Sequence, residues 1–230
     1  MVVNIEIAAK LTPVNFRCIL GSGMPRSSRN PYHHGDLRRA LLDATLELAA
    51  EKSPAGVSLR EAARAAGVSP AAPYRHFRDK QEMLAAAAEE GFRLLLDRIR
   101  DAGLDRSSPA DRLVEWVAIY VRFAVEQPAH FRLMYGQGSP PKSSTDALQA
   151  AARRTFRAFF DTVAEVVGPW RLGPAALREA ALEVWALAHG LATLALDGHT
   201  LFLGLPPERV HLVARRAARP HIDALLRRAR

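Results

Sequence analysis

Helix-boundary residues recur along this 230-residue chain at spacings that leave room for helices and little else. Asp36 to Glu51 carries apolar residues at Leu37, Ala40, Leu41, Ala44, Leu48 and Ala49, a period near 3.6 rather than a strand's alternation. Ser53-Pro54-Ala55-Gly56 stops it. Ser58-Leu59-Arg60-Glu61 has the form of a capping box, in which the serine oxygen accepts from the Glu61 N–H and the glutamate reaches back. Ser69-Pro70 restarts a helix, serine as N-cap and proline at the first helical position. Asp79-Lys80-Gln81-Glu82 opens a long helix toward Asp101, and Ser108-Pro109 opens one to about Gln127. Pro128 begins a short piece ending at Gly136, and Gly138 to Ser144 reads as loop. Thr145 to Val167 and Pro174 to Asp197 follow, and Pro206-Pro207 starts a last helix that Pro220 is expected to kink or break. The expected fold class is all-α, without internal repeats.

The most informative stretch is residues 58–77, SLREAARAAGVSPAAPYRHF. Two short helices meet at a turn centred on Gly67, and Ala62, Ala63 and Ala66 line the first where the second must cross closely. A helix-turn-helix needs small residues there, because bulk at the crossing would push the second helix out of its docking angle. Leu59, Val68 and Phe77 are its expected core. The second helix then turns Ala71, Ala72, Tyr74, Arg75 and His76 outward. Tyr74, His76 and Lys80 suit phosphate clamping, which positions a protein on a duplex, while Ala71 and Ala72 suit contact with thymine methyls. Pro73 must stiffen or distort this helix. Read without further support, the same residues also describe two packed bundle helices with a solvated face.

Charge alone does not decide between these readings. A formal net charge of +8 and a pI near 10.3 suit a polyanionic partner, nucleic acid or an anionic surface. Arg26, Arg29, His33, His34, Arg38 and Arg39 form either an arm reaching the duplex or a solvated terminus. The C-terminal arginines 215, 216, 219, 227, 228 and 230 read as a solvated helix face. A single cysteine, Cys18, excludes an intramolecular disulfide and a cysteine metal site, and suits a cytoplasmic protein. No run of about 18 apolar residues argues for a membrane span. Residues 1–23 carry no helical period, and Met24 opens a basic, turn-rich segment, so residues 1–29 read as a flexible extension with Met24 an alternative start. Phosphate-loop, zincin and nucleophile-elbow motifs are absent from the sequence, so no enzyme, metal or cofactor is expected.

From Gly35 to Leu84 the chain resembles the DNA-binding domain of TetR-type regulators. The resemblance is carried by LLDATLELAA, SLREAA, AGVS and YRHFRDK at fixed spacing. Pro73 departs from the family pattern, which often has an apolar residue there. VWALAHGLATL, with Trp185 and His189-Gly190, and PAHFRLMYG at 128–136 resemble the sub-family named for a Trp-His-Gly signature. The resemblance implies a three-helix DNA-binding domain over residues 30–78 and a helical ligand-binding and dimerisation domain over 79–230. It also implies helices near 174–198 and 206–228 pairing across a two-fold axis. The expected partners are palindromic operator DNA, a second copy of the chain and an apolar or amphipathic small molecule whose binding releases the DNA. The DNA-contacting set is Ser58, Ser69, Pro70, Ala71, Ala72, Tyr74, Arg75, His76 and Lys80. Aromatic residues, Tyr135 and Phe159 among them, recur at helical spacing through the second half, mostly as core. The candidate ligand set drawn from them is Trp116, Tyr120, Phe123, Phe131, Met134, Phe156, Phe160, Trp185 and His189. Trp185 and His189 lie one turn apart, either as a packed, hydrogen-bonded pair or with His189 as the polar anchor of a pocket. The alternative function is a helical scaffold whose basic charge serves an acidic or membrane partner.

Overall fold

The computed structural model describes residues 34–104, 107–141, 144–168 and 173–228, with side chains from Leu37 onward. The extension, Arg26, Arg29, His33, the side chain of His34, and Arg230 lie outside the described residues. Eight helices account for most of the described chain: α1 (His34–Glu51), α2 (Leu59–Ala65), α3 (Lys80–Asp101), α4 (Pro109–Glu126), α5 (Pro128–Tyr135), α6 (Asp146–Val167), α7 (Pro174–Leu196) and α8 (Val210–Arg228). No strand occurs among the described residues.

The helix starts follow from the cap chemistry. Ser58 Oγ accepts from the Glu61 N–H at 3.2 Å, and the returning glutamate meets the serine hydroxyl at 3.0 Å. Asp79 Oδ1 accepts from Glu82 N–H at 2.9 Å, while Glu82 accepts from the Arg78 N–H at 2.7 Å. Ser108 and Thr145 cap α4 and α6 in the same way, at 3.1 Å each. Each bond satisfies a backbone donor that the first turn of a helix leaves without a partner. At the other end of α2, Gly67 takes φ +71°, a left-handed conformation that costs glycine little.

Two boundaries differ from the sequence expectation. No α-helix begins at Ser69-Pro70; residues 70–71 form turns and Ala72–Arg75 is a 3-10 helix. The cause is Pro73, which has no N–H to give the Ser69 carbonyl, so that carbonyl takes the Ala72 N–H instead, at 3.0 Å. Conversely, α8 runs through Pro220 unbroken. A 3-10 turn over Pro207–Arg209 precedes it.

Helix α4 is the centre of the bundle, packed against α6, α7 and α8, while α3 packs on α5 and α6. Leu113, Val117, Tyr120, Val121, Phe123 and Ala124 of α4 are fully or almost fully buried. Where α3 crosses α5, a Cβ on Gly91 would stand 2.7 Å from Met134 Sδ and 3.1 Å from His130 Cβ, so glycine sets the helix separation. Helix α1 contacts α2, α3 and α5, and Arg39 ties it to α3 through two bonds to Glu90 at 2.7 and 2.9 Å. By length and composition α7 is apolar enough to cross a membrane, but it packs against α4, α6 and α8 and carries Arg178, Glu179 and Glu183 in its first half.

Candidate nucleic-acid interface and an aromatic cavity

The segment from Ser58 to Phe77 folds around a small buried set: Leu59, Ala62, Ala63, Pro73 and Phe77. Val68 packs partly buried against it. Pro73 and Phe77 point inward, so the residues between them face out: Tyr74 is 57% exposed, Arg75 is exposed and His76 half-buried. Ser69, Pro70 and Ala71 are exposed, and Ala72 is half-buried. Short side chains flanking an exposed tyrosine and arginine form a surface that can approach base edges and phosphates closely. Two members of the expected contact set have other duties here. The Ser58 hydroxyl is taken up by the α2 cap, and Lys80 Nζ donates to the Ala55 carbonyl at 2.6 Å. Arg60 and Arg64, exposed on α2, line a groove with Val68 and Pro70 and were not in that set; their four-residue spacing on an exposed face is the signal for them.

Of the N-terminal basic residues that are described, Arg38 lies over the Phe77 ring at 5.6 Å and Arg39 is paired with Asp43 and Glu90. Both tie α1 to its neighbours. Arg215 and Arg219 of α8 pair with Glu115 and Asp111 of α4, and Arg228 pairs with Glu183 of α7.

The fold matches known proteins along both halves. Residues 41–87 match the family model of bacterial regulatory proteins, tetR family, and residues 113–219 match the tetracyclin repressor-like C-terminal domain. The chain belongs to the TetR family. Residues 41–87 are that family's helix-turn-helix DNA-binding element. An uncharacterized HTH-type transcriptional regulator of Haemophilus influenzae is 34% identical over 131 residues, 56% of this chain and 62% of that protein, so the chain spans under two thirds of that relative's length. A solved protein of unknown function from Rhodococcus sp. RHA1 is also 34% identical, with TM-score 0.66 over 84% of this chain and 98% of its own. The TetR-family transcriptional regulator PfmR from Thermus thermophilus shares the fold at 22% identity, with TM-score 0.58 over 81% of this chain and 97% of its own.

In this TetR-family bundle a cavity of about 610 Å³ opens between the end of α1 with its following turn, α5, and α7. Phe131, Tyr135 and His189 provide its aromatic wall, and Lys52, Arg132 and Asp197 stand among its polar residues. Of the nine candidate ligand residues, the fold brings Phe131 and His189 to this cavity. Tyr120 stands behind them, 1% exposed, its hydroxyl 2.9 Å from His189 Nδ1 and accepting from Trp185 Nε1 at 3.4 Å. Trp116, Phe123 and Met134 are buried core. Phe156 meets Trp185 edge-on at 5.5 Å, and Phe160 is half-buried beside Phe159. Burial raises the Tyr120 and Tyr135 hydroxyls well above the ordinary phenol range and lowers His189, so all three are neutral at pH 7.

The cavity residues outside the candidate set were partly legible. Thr193 and Leu196 follow His189 by four and seven positions on α7, and Tyr135 follows Phe131 by four on α5. Lys52 and Pro54 come from the other end of the chain, and no periodicity points to them.

Proposed function

We propose that this TetR-family chain works as a homodimeric, ligand-responsive repressor, in the sub-family marked by Trp185 and His189-Gly190. The segment near residues 30–78 grips an imperfectly palindromic operator, and residues 79–230 bind the effector and the second copy. The observation that carries the reading is the outward face of Tyr74 and Arg75 on a helix-turn-helix locked from behind by Pro73 and Phe77. Dimerisation is supported by apolar residues exposed on α7 and in the segment that follows it. Leu182 and Leu194 of α7 are exposed, and Leu201, Phe202 and Leu203 beyond it reach 53%, 75% and 84% exposure. Single exposed leucines are ordinary, but three apolar residues in succession on a soluble fold call for a partner surface. Two copies would then offer two recognition elements to half-sites about 34–36 Å apart, or a multiple of that.

Effector binding would favour the dimer whose recognition elements are wrongly spaced, and coupling of about 1–3 kcal/mol is typical of such a shift. The test is binding to duplex DNA from the chain's own upstream region, with unrelated competitor DNA, in wild type and Tyr74→Ala. The expected result is salt-sensitive protection of a palindrome that weakens in the variant, with unchanged thermal stability because Tyr74 is on the surface. A folded protein that binds no duplex specifically would refute it.

A further inference from the structure

Pro73 settles more than where an α-helix fails to start. In an α-helix, residue 73 would give its N–H to the Ser69 carbonyl, four positions back. Proline has none to give, and that carbonyl takes the Ala72 N–H, three positions back, at 3.0 Å. The Pro73 carbonyl in turn accepts from the His76 N–H at 2.9 Å, a second three-residue bond. A 3-10 turn advances about 120° and 2.0 Å per residue, against about 100° and 1.5 Å in an α-helix, so residues three apart eclipse. Burial over residues 71–76 follows those rows: Ala71 and Tyr74 are exposed, Ala72 is half-buried before an exposed Arg75, and Pro73 is buried before a half-buried His76. An α-helix would set the members of each pair about 60° apart around its axis. Because Pro73 and Phe77 are held in the core, that difference falls on the outward side chains. Tyr74 and Arg75 bond to no other side chain among the described residues, whereas Glu82 holds Arg78 at 3.0 Å and the Ala55 carbonyl holds Lys80 at 2.6 Å.

We propose that Pro73 is a positioning residue for sequence readout: by holding Ala72–Arg75 as a 3-10 turn it puts Arg75 in line with Ala72, and so selects the base pair that Arg75 reads. An arginine in the major groove reads guanine through O6 and N7, and the alanine methyl in its row suits a thymine methyl. Pro73 itself is buried and touches no base; it acts through the direction it gives Arg75. With an N–H at position 73, the Ser69 carbonyl can take the four-residue bond, the segment closes into an α-helix, and Arg75 swings to a neighbouring base pair. The consequence for DNA rests on the regulator reading above; the geometry of the turn does not.

Two measurements test this on the full chain. Nuclear Overhauser spectra of labelled wild type should join the α-protons of Ala72 and Pro73 to the amides two residues on, Tyr74 and Arg75. Contacts four residues on instead, from Ala71 to Arg75 and Ala72 to His76, are the α-helical pattern and overturn the inference whatever the protein binds. The second measurement is selection from randomised duplex DNA by wild type, Arg75→Ala, Pro73→Leu and the double variant, with folding checked by circular dichroism. In wild type, Arg75→Ala should erase a guanine preference of about 5- to 150-fold, the worth of one bidentate base contact, at one position in each half-site. In the Pro73→Leu background the position that Arg75→Ala relaxes should be a different one. A role for Pro73 in stability alone would weaken binding without moving that position. Should leucine prevent folding, Pro73→Ala restores the N–H with a smaller side chain and gives the same comparison. The same position relaxed in both backgrounds, or no guanine preference that depends on Arg75, would overturn the inference and leave the regulator reading intact. A wild type that selects no sequence would overturn both.

Discussion

Tyr120→Phe removes one oxygen from the middle of the bundle and nothing else, so its effect can be worked from the contacts around it. The ring stays stacked with Trp116 at 6.1 Å and edge-on to Phe131 at 5.4 Å, and no cavity larger than the hydroxyl opens. What changes is the partners. The Tyr135 hydroxyl, which burial holds well above the ordinary phenol range, loses its bond to that oxygen, and a buried polar group stripped of its partner costs about 1–3 kcal/mol. Trp185 loses a bond of 3.4 Å, too long to be worth much, and His189 can turn to water through the cavity it lines. The expected cost is therefore about 2–3 kcal/mol, a drop in Tm of roughly 5–10 °C for a chain of this size. Tyr135→Phe removes one partner of that oxygen but leaves Tyr120 bonded to Trp185 and His189, so it should cost about 1 kcal/mol or less. The double variant should cost no more than Tyr120→Phe alone, because the hydroxyl that would be stranded is gone. Urea unfolding at one fixed chain concentration measures all three. A Tyr120→Phe effect below about 0.5 kcal/mol, or additive behaviour in the double variant, would refute the network as drawn.

Stability should fall as pH drops from 7.5 toward 5.5. His130 is buried, its Nε2 3.9 Å from Glu90, and desolvation, reinforced by Arg39 and Arg98 against Glu90, holds its pKa below the ordinary value. The unfolded chain then binds more protons below pH about 6.5, so the stabilising difference is complete above that value and is lost progressively on acidification. Urea midpoints at three pH values should show this, and His130→Gln should flatten the slope; an unchanged slope would exclude His130 as a source. At the α3–α5 crossing, Gly91→Val should destabilise by about 1–3 kcal/mol through overpacking against Met134 and His130. Met134→Ala should relieve part of that cost in the double variant, so additive thermal-melt effects would count against the contact.

Much of the fold was legible because helix boundaries are local. Ser58, Asp79, Ser108 and Thr145 each bond a backbone N–H three residues on, so their identity and spacing suffice to place a helix start. Ser69-Pro70 has the same appearance and fails, because Pro73, four residues after Ser69, removes the donor that a first α-helical turn would give the Ser69 carbonyl. The outward set around Tyr74 was equally local, since it follows from which neighbours are buried. The cavity was not. Its aromatic side can be counted along α5 and α7, but the α1 turn that closes it is brought there by packing over distances along the chain that periodicity does not see.

That turn also joins the end of α1 to the elements on either side of the helix-turn-helix. Helix α1 is anchored in its first half, where Leu37, Leu41 and Leu42 enter the core and Arg39 holds Glu90 with two bonds. Beyond Ala49, polar contacts hold it to three other elements: Arg132 of α5 reaches the Ala50 carbonyl, Lys52 holds Glu61 of α2, and Lys80 at the start of α3 reaches the Ala55 carbonyl. Each of these is solvent-exposed, the class of contact that contributes little to stability. Pro54 and Val57 of the turn are also buried, so apolar packing holds it beside these exposed bonds. Because Lys52 and Ala55 bond to α2 and to the start of α3, a displacement at the cavity is handed to both helices flanking the 3-10 turn that carries Tyr74.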